Sequence, residues 1–205
     1  MPINSFLYPG AKVTPAYDVA NSCRFNKASS DYLTRTPSGT GNRRTWTFSA
    51  WVKRSQIHSA GDQIFQQSHS EGNYIKLYFY ANKIYWRAQT SESNTGYIVT
   101  NRLFRDPSAW MHVVARFDST NSTAGDRMRL YINGVEETSF STDINPSLNY
   151  DSYANTTNAI DIGRDNVNAT SYFDGYMTEV CMVDGQSLDP TSFGEFDSDS
   201  PNIWK

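Results

Sequence analysis

Residues 45–53 read TWTFSAWVK, and the alternation within them decides the fold. In an extended chain Trp46, Phe48, Ala50 and Val52 share one face, while Thr45, Thr47, Ser49, Trp51 and Lys53 share the other. Trp, Thr, Phe and Val favour strands, and no apolar stripe recurs at the three-to-four residue spacing of a helix. An oily strand face is stable only under a second layer, so the stretch predicts a sheet packed on a sheet.

The same period extends in both directions. Towards the N-terminus, 22–25 and 32–34 read as short edge strands around a polar turn, and 37–42 is a loop by composition. Towards the C-terminus, 63–67 is a strand, and 74–80 and 83–88 form a hairpin about Ala81-Asn82. In that hairpin Ile75, Leu77, Phe79, Ile84, Trp86 and Ala88 point inward, while Lys76, Tyr78, Tyr80, Tyr85 and Arg87 point outward. Further strands are expected at 96–100, 110–118, 127–133, 138–141, 159–163 and 176–183. Asn133-Gly134 is the strongest turn signal, because both residues tolerate the positive φ of a type I′ turn. Burying Met177, Val180 and Met182 together requires a bulge in the last strand. The stretch 146–158 has no period and reads as a long loop.

These elements divide the chain into a lead-in at 1–21, a β-sandwich at 22–188 and a C-terminal segment at 189–205. Phe6, Leu7 and Tyr8 are candidate anchors on another subunit or particle. Phe193, Phe196 and Trp204 are large for a free tail, so the last segment either folds back on the sandwich or leads into a further one. A length of 205 residues suits one all-β domain. A net charge of −3 gives no global field for nucleic acid or an anionic membrane, and no apolar run is long enough to insert in one. The start lacks the pattern of a secretory signal. Cys23 and Cys181 are expected as buried thiols, with a single staple open if the two end strands are neighbours.

Several segments in order carry a resemblance: SCRF at 22–25, WTFSAW at 46–51, WMHVV at 110–114, LYING at 130–134, IDIG at 160–163 and FDG at 173–175. Together they resemble the laminin-G and concanavalin-A-like jelly-roll superfamily. The phrase DGQSLDPTSFG at 184–194, with NSFLYPG at 4–10, more narrowly resembles lectin-like structural proteins of bacteriophages, especially aquatic ones. The resemblance implies an all-β, two-sheet antiparallel jelly-roll sandwich, carbohydrate recognition in many members and calcium at loop positions in some. It implies a virion protein assembled in the host cytoplasm, a homo-oligomer in contact with other virion subunits and with a host-surface glycan. Cys23 stands where the family commonly carries an aliphatic residue. Similar phage proteins often continue past the equivalent point, which leaves open whether Lys205 ends the chain or only a domain.

Glycoside hydrolysis needs two carboxylates held across a cleft. The Glu-x-Asp-x-(x)-Glu strand motif of related sandwich glucanases does not occur in the sequence, and Glu136 and Glu137 are neighbours that face opposite ways in a strand. The chain is therefore expected to be no enzyme, hydrolysis being the last alternative. His112, between Met111 and Val113, reads as a hydrogen-bonded structural histidine. Calcium takes oxygen ligands, and Asp118 and Asp174 are the loop-end acids the resemblance nominates, against ordinary turn aspartates as the plain reading. For carbohydrate or a protein partner, the polar-aromatic face holds Tyr78, Tyr80, Tyr85 and Arg87, joined by Trp51 and Tyr131 if their strands are neighbours. Asn82 and Asn73 are amides for sugar hydroxyls, and cover by a loop or another subunit is the alternative use of the face. The two functions carried forward are glycan attachment by a virion protein and a capsid-decoration or tail-assembly contact.

Overall fold

The computed structural model describes residues 21–57 and 61–205. The candidate anchors Phe6, Leu7 and Tyr8, with the lead-in up to position 20, lie outside the described residues, as does His58.

Among the described residues the strands are, in chain order, β1 (Cys23–Phe25), β2 (Leu33–Arg35), β3 (Thr45–Arg54), β4 (Asp62–Ser70), β5 (Asn73–Tyr80), β6 (Lys83–Thr90), β7 (Ser93–Thr100), β8 (Met111–Asp118), β9 (Met128–Ile132), β10 (Val135–Glu136), β11 (Phe140–Ile144), β12 (Ile160–Ile162) and β13 (Gly175–Asp184). They form a six-stranded sheet, β1-β13-β3-β8-β9-β10, and a seven-stranded sheet, β11-β7-β6-β5-β4-β12-β2. Every pairing is antiparallel. No α-helix occurs among the described residues, only 3-10 turns at Lys27–Ser29, Ala124–Asp126 and Pro190–Ser192.

The opening stretch becomes β3, held between β13 and β8 in the six-stranded sheet. Its inward residues Trp46, Phe48, Ala50 and Val52 are at most 1% exposed, as the alternation requires. They meet the inward side of the other sheet. Trp46 stacks on Phe117 at 5.0 Å and meets Trp86 of the facing sheet edge-on at 5.9 Å, while Phe48 stacks on Phe65 at 4.9 Å. Offset and edge-on ring pairs of this kind add to the burial that joins the layers.

The hairpin turns carry the expected backbone. Ala81 and Asn82 have φ of 48° and 65°, and Asn133 and Gly134 have φ of 52° and 75°. In β13 the register shifts between Thr178 and Cys181, with Glu179 at φ 54°. The bulge returns Met182 to the face of Met177, so one is packed in the core and the other against it. Val180 does not join them: it sits in the bulge, 39% exposed.

The expected burial of the thiols needs correction. The thiols are not both buried. Cys23 is exposed on edge strand β1, Cys181 is half-buried, and both are free; Cys23 pairs in register with Met177. The 146–158 loop is irregular but packed, with Ser152, Ala154 and Asn155 buried. Ser152 Oγ accepts the Trp46 indole N–H, and the Asn155 side chain donates to the Asn42 carbonyl and to Asp184. Sequence periodicity also gave no sign of the buried Arg54–Asp62 pair at 2.9 Å, whose guanidinium also donates to the Phe104 carbonyl. Removing either partner would strand a buried charge.

Candidate functional site

The β5–β6 register sets Lys76 opposite Arg87, Tyr78 opposite Tyr85 and Tyr80 opposite Lys83. Strand alternation sends all six side chains to the outer face of the seven-stranded sheet, where β7 adds Tyr97 opposite Arg87. Tyr78 and Tyr85 lie 5.2 Å apart, Tyr80 meets Tyr85 edge-on at 5.5 Å, and Tyr97 lies 6.2 Å from Tyr85. Tyr78, Tyr85 and Arg87 are half-buried and Tyr80 is exposed. The four hairpin residues expected to share a face are thus brought together.

Trp51 and Tyr131 are not part of it. They belong to β3 and β9 of the six-stranded sheet and point from the opposite side of the sandwich. Alternation separates inward from outward but does not say which of two sheets a strand joins. Trp51 stacks on His112 at 5.0 Å, and Tyr131 is buried. The C-terminal segment folds back over this sheet. Trp204 stacks on His112 and donates its indole N–H to Nδ1 at 2.9 Å, while Nε2 lies 2.8 Å from Ser49 Oγ. Because Nδ1 accepts, the neutral ring carries its proton on Nε2 and donates it to Ser49. Burial pushes the His112 pKa down to about 4. The Thr47 hydroxyl donates to the Gln186 carbonyl and accepts from Leu188 N–H, and Arg116 holds Asp189 at 2.8 Å.

On the seven-stranded side, a depression of about 280 Å³ is lined by Gln66, Glu71, Tyr74, Lys76, Arg87, Gln89, Asp165, Val167 and Asn168. Lys76 sits over the Tyr74 ring at 4.3 Å and the Tyr78 ring at 5.2 Å, with Asp165 at 3.6 Å. Arg87 lies over Tyr97 at 4.8 Å and donates to Gln89 at 3.0 Å, and Gln89 also accepts the Tyr74 hydroxyl at 2.5 Å. Burial pushes the Lys76 ammonium down against the opposing pull of Asp165, and pushes the Tyr78 phenol up to about 12. Such rings present flat apolar area beside cations and amides, which suits a sugar's C–H face and its polar groups. Lys76, Tyr74 and Gln66 were not singled out from the sequence, although the outward parity of Lys76 was available.

The two amides expected to help stand at the two ends of β5, Asn73 as its first residue and Asn82 in the turn that follows it. Asn82 is at the hairpin turn, its Oδ1 buried without a partner. Asn73 Oδ1 already accepts from Ser91 N–H and the Tyr153 hydroxyl.

Asp118 and Asp174 stand near opposite ends of β3, since Asp118 pairs with Thr45 and Gly175, next to Asp174, pairs with Arg54. A nine-residue strand step spans roughly 30 Å, so one ion cannot take both. Asp118 Oδ1 accepts from the backbone and hydroxyl of Thr120, which is the work of a turn aspartate. Among the described residues no group of three or more His, Cys, Asp or Glu is placed to hold a metal.

A family model for the concanavalin A-like lectin/glucanases superfamily matches residues 27–189. The chain belongs to this superfamily. A comparison with curated proteins gave no significant match. Among solved structures, the chain is similar to the botulinum neurotoxin serotype G binding domain, with a TM-score of 0.60 and 16% identity over 86% of this chain and 42% of that one. It is also similar to domains LG4-5 of the mouse laminin alpha1 chain, with a TM-score of 0.57 and 13% identity over 83% and 44%. Domain 4 of an extracellular arabinanase from Geobacillus stearothermophilus, solved with arabinotriose, matches at a TM-score of 0.51 and 18% identity over 73% and 65%. The chain spans less than half the length of the neurotoxin and laminin chains. At these identities the likeness is one of fold, and the superfamily makes the protein a lectin-like jelly-roll domain.

Proposed function

We propose that the outer face of the seven-stranded sheet is a non-catalytic recognition surface for a glycan. The observation that carries this reading is an asymmetry between the two outer faces. The chain's own C-terminal segment occupies the six-stranded one, whereas the tyrosine cluster and the adjoining depression stay partly exposed. The resemblance of 184–194 and 4–10 to aquatic phage proteins supports a finer reading, in which the domain is displayed on a virion and attaches it to a host-surface glycan. Binding to a glycan array, inhibited by a simple sugar and reduced by Tyr78→Ala and Tyr85→Ala, is the expected result. An array without binding, or binding indifferent to both variants, would remove the reading.

A second reading, contact with other virion subunits, is favoured by strand β2. It is exposed along its length at the edge of the seven-stranded sheet, with Leu33 51% exposed. Among the described residues no strand pairs with its outer edge, and unpaired edge groups are ready to add a strand from another chain. A density map of the intact particle decides between them: the tyrosine face open to solvent supports attachment, and the same face occluded by a neighbour supports assembly.

A further inference from the structure

We propose that the C-terminal hairpin is an acid-sensitive latch: protonation of His112 releases residues 193–205 from the outer face of the six-stranded sheet while the sandwich beneath stays folded. The hairpin is a unit of its own. Glu195 and Lys205 exchange backbone hydrogen bonds at 2.8 and 2.9 Å, the Asp197 N–H donates to the Ile203 carbonyl at 2.8 Å, and Phe196 bridges to Trp204. Lys205 ties the two arms further, through Glu195 at 3.6 Å and Asp197 at 3.1 Å. The grip on the sheet is aromatic. Trp204, 7% exposed, stacks on His112 and lies against Gly134, and Phe193 meets the same imidazole at 6.4 Å. A two-stranded hairpin is marginal in water, so this one keeps its shape by leaning on the sheet.

The joint is one that a proton undoes. Nδ1 of His112 accepts the Trp204 indole N–H, and Nε2 is engaged with Ser49, so an added proton lands on Nδ1 and sets two donors face to face. Among the described residues no acid is placed to compensate the new charge, and burial is the cause that pushes the His112 pKa down. β3 brings Ser49 and Trp51 to the ring. From the β9 side come Tyr131 and Asn133, whose amide oxygen is taken by the His112 backbone N–H. The charges around this face are paired with one another: Arg116, further along β8, with Asp189; Glu136 of β10 with Arg129; Lys205 with Glu195 and Asp197. Lifting the hairpin returns the ring to water and its pKa to the ordinary value. The closed form is therefore fully favoured above about pH 6.5 and loses ground as the pH falls towards about 4.

Hydrogen exchange followed by NMR on the full chain tests this, expressed as protection factors so that the intrinsic pH dependence of exchange divides out. The reporters are the Trp204 indole N–H and the Glu195, Asp197 and Lys205 amides. Between pH 7 and 5 their protection should fall about twenty-fold. Protection of the Trp46 indole N–H, bonded to Ser152 in the core, should not change. His112→Gln, whose amide oxygen still accepts from an indole but takes no proton in this range, should abolish the fall. Trp204→Phe keeps a ring on the imidazole without the facing donor, so its three amides should show a smaller fall than wild type; this holds the test open if His112→Gln does not fold. Lys205 holds the Asp197 carboxyl below its usual range, and Glu195→Gln with Asp197→Asn should keep the twenty-fold change. Flat protection in wild type, an equal fall in His112→Gln or Trp204→Phe, or its loss in the carboxylate double variant would overturn the latch. A parallel fall at Trp46 would overturn it too, because the whole sandwich would then be opening.

Discussion

His112 shows how much one residue's surroundings decide. Both ring nitrogens are engaged, by Trp204 at Nδ1 and Ser49 at Nε2, and the ring is 1% exposed. Its pKa of about 4 in the folded protein lies below the ordinary 6.5, so the unfolded chain binds the extra proton first. The stability this provides is complete above about pH 6.5 and is lost as the pH falls towards about 4, by roughly 3 kcal/mol. Carboxylates also titrate at the lower end, so the measurement is a difference. Denaturant unfolding of wild type and His112→Gln between pH 7 and 4 should show a steeper loss in wild type. Parallel curves would mean that His112 is not buried as a neutral ring. The inward and outward parities of the hairpin make a second contrast at this scale. Trp86→Ala leaves a cavity among Trp46, Phe117 and the facing sheet and should cost about 3–5 kcal/mol. Tyr78→Ala, on the partly exposed face, should cost about 1 kcal/mol. Thermal melts that rank them the other way round would reverse the assignment.

Among the elements, the Asn133-Gly134 turn does more than reverse the chain. Gly134 has φ 75°, and a Cβ there would come within 2.3 Å of the Trp204 ring. The Asn133 side chain accepts the His112 backbone N–H at 2.7 Å. The turn is therefore coupled to the segment that closes over the six-stranded sheet. Gly134→Val should cost about 3 kcal/mol, from positive φ and from collision with the indole. Combining it with Trp204→Ala should recover the collision part, so the two effects should fall short of additivity by about 1 kcal/mol. An unchanged unfolding midpoint in Gly134→Val, or strict additivity, would disprove this coupling.

For the molecule as a whole, the sequence made the sandwich legible because a period of two is a local signal that tertiary packing only completes. Trp46 and Phe48 declare their face by themselves. Sheet membership is not local. Trp51 and Tyr131 looked like partners of Tyr85 because each points outward, and only the strand order puts a core between them. The C-terminal cover was half legible: Phe193, Phe196 and Trp204 marked a segment that either folds back or leads onward, but nothing in the sequence paired Trp204 with His112, 92 positions away. Asp165 and Lys76 likewise meet only because the loop after β12 crosses above β4 and β5.

The central claim is that recognition belongs to the outer face of the seven-stranded sheet and not to the covered face opposite. The most direct measurement is the dissociation constant of the best-binding array glycan for wild type, Tyr78→Ala, Tyr85→Ala and, on the opposite face, Trp51→Phe, each with its melting midpoint. The two tyrosine variants should weaken binding by about 1–3 kcal/mol with little change in midpoint, while Trp51→Phe binds as wild type does. Equal affinity in both tyrosine variants, or a loss confined to Trp51→Phe, would contradict the account.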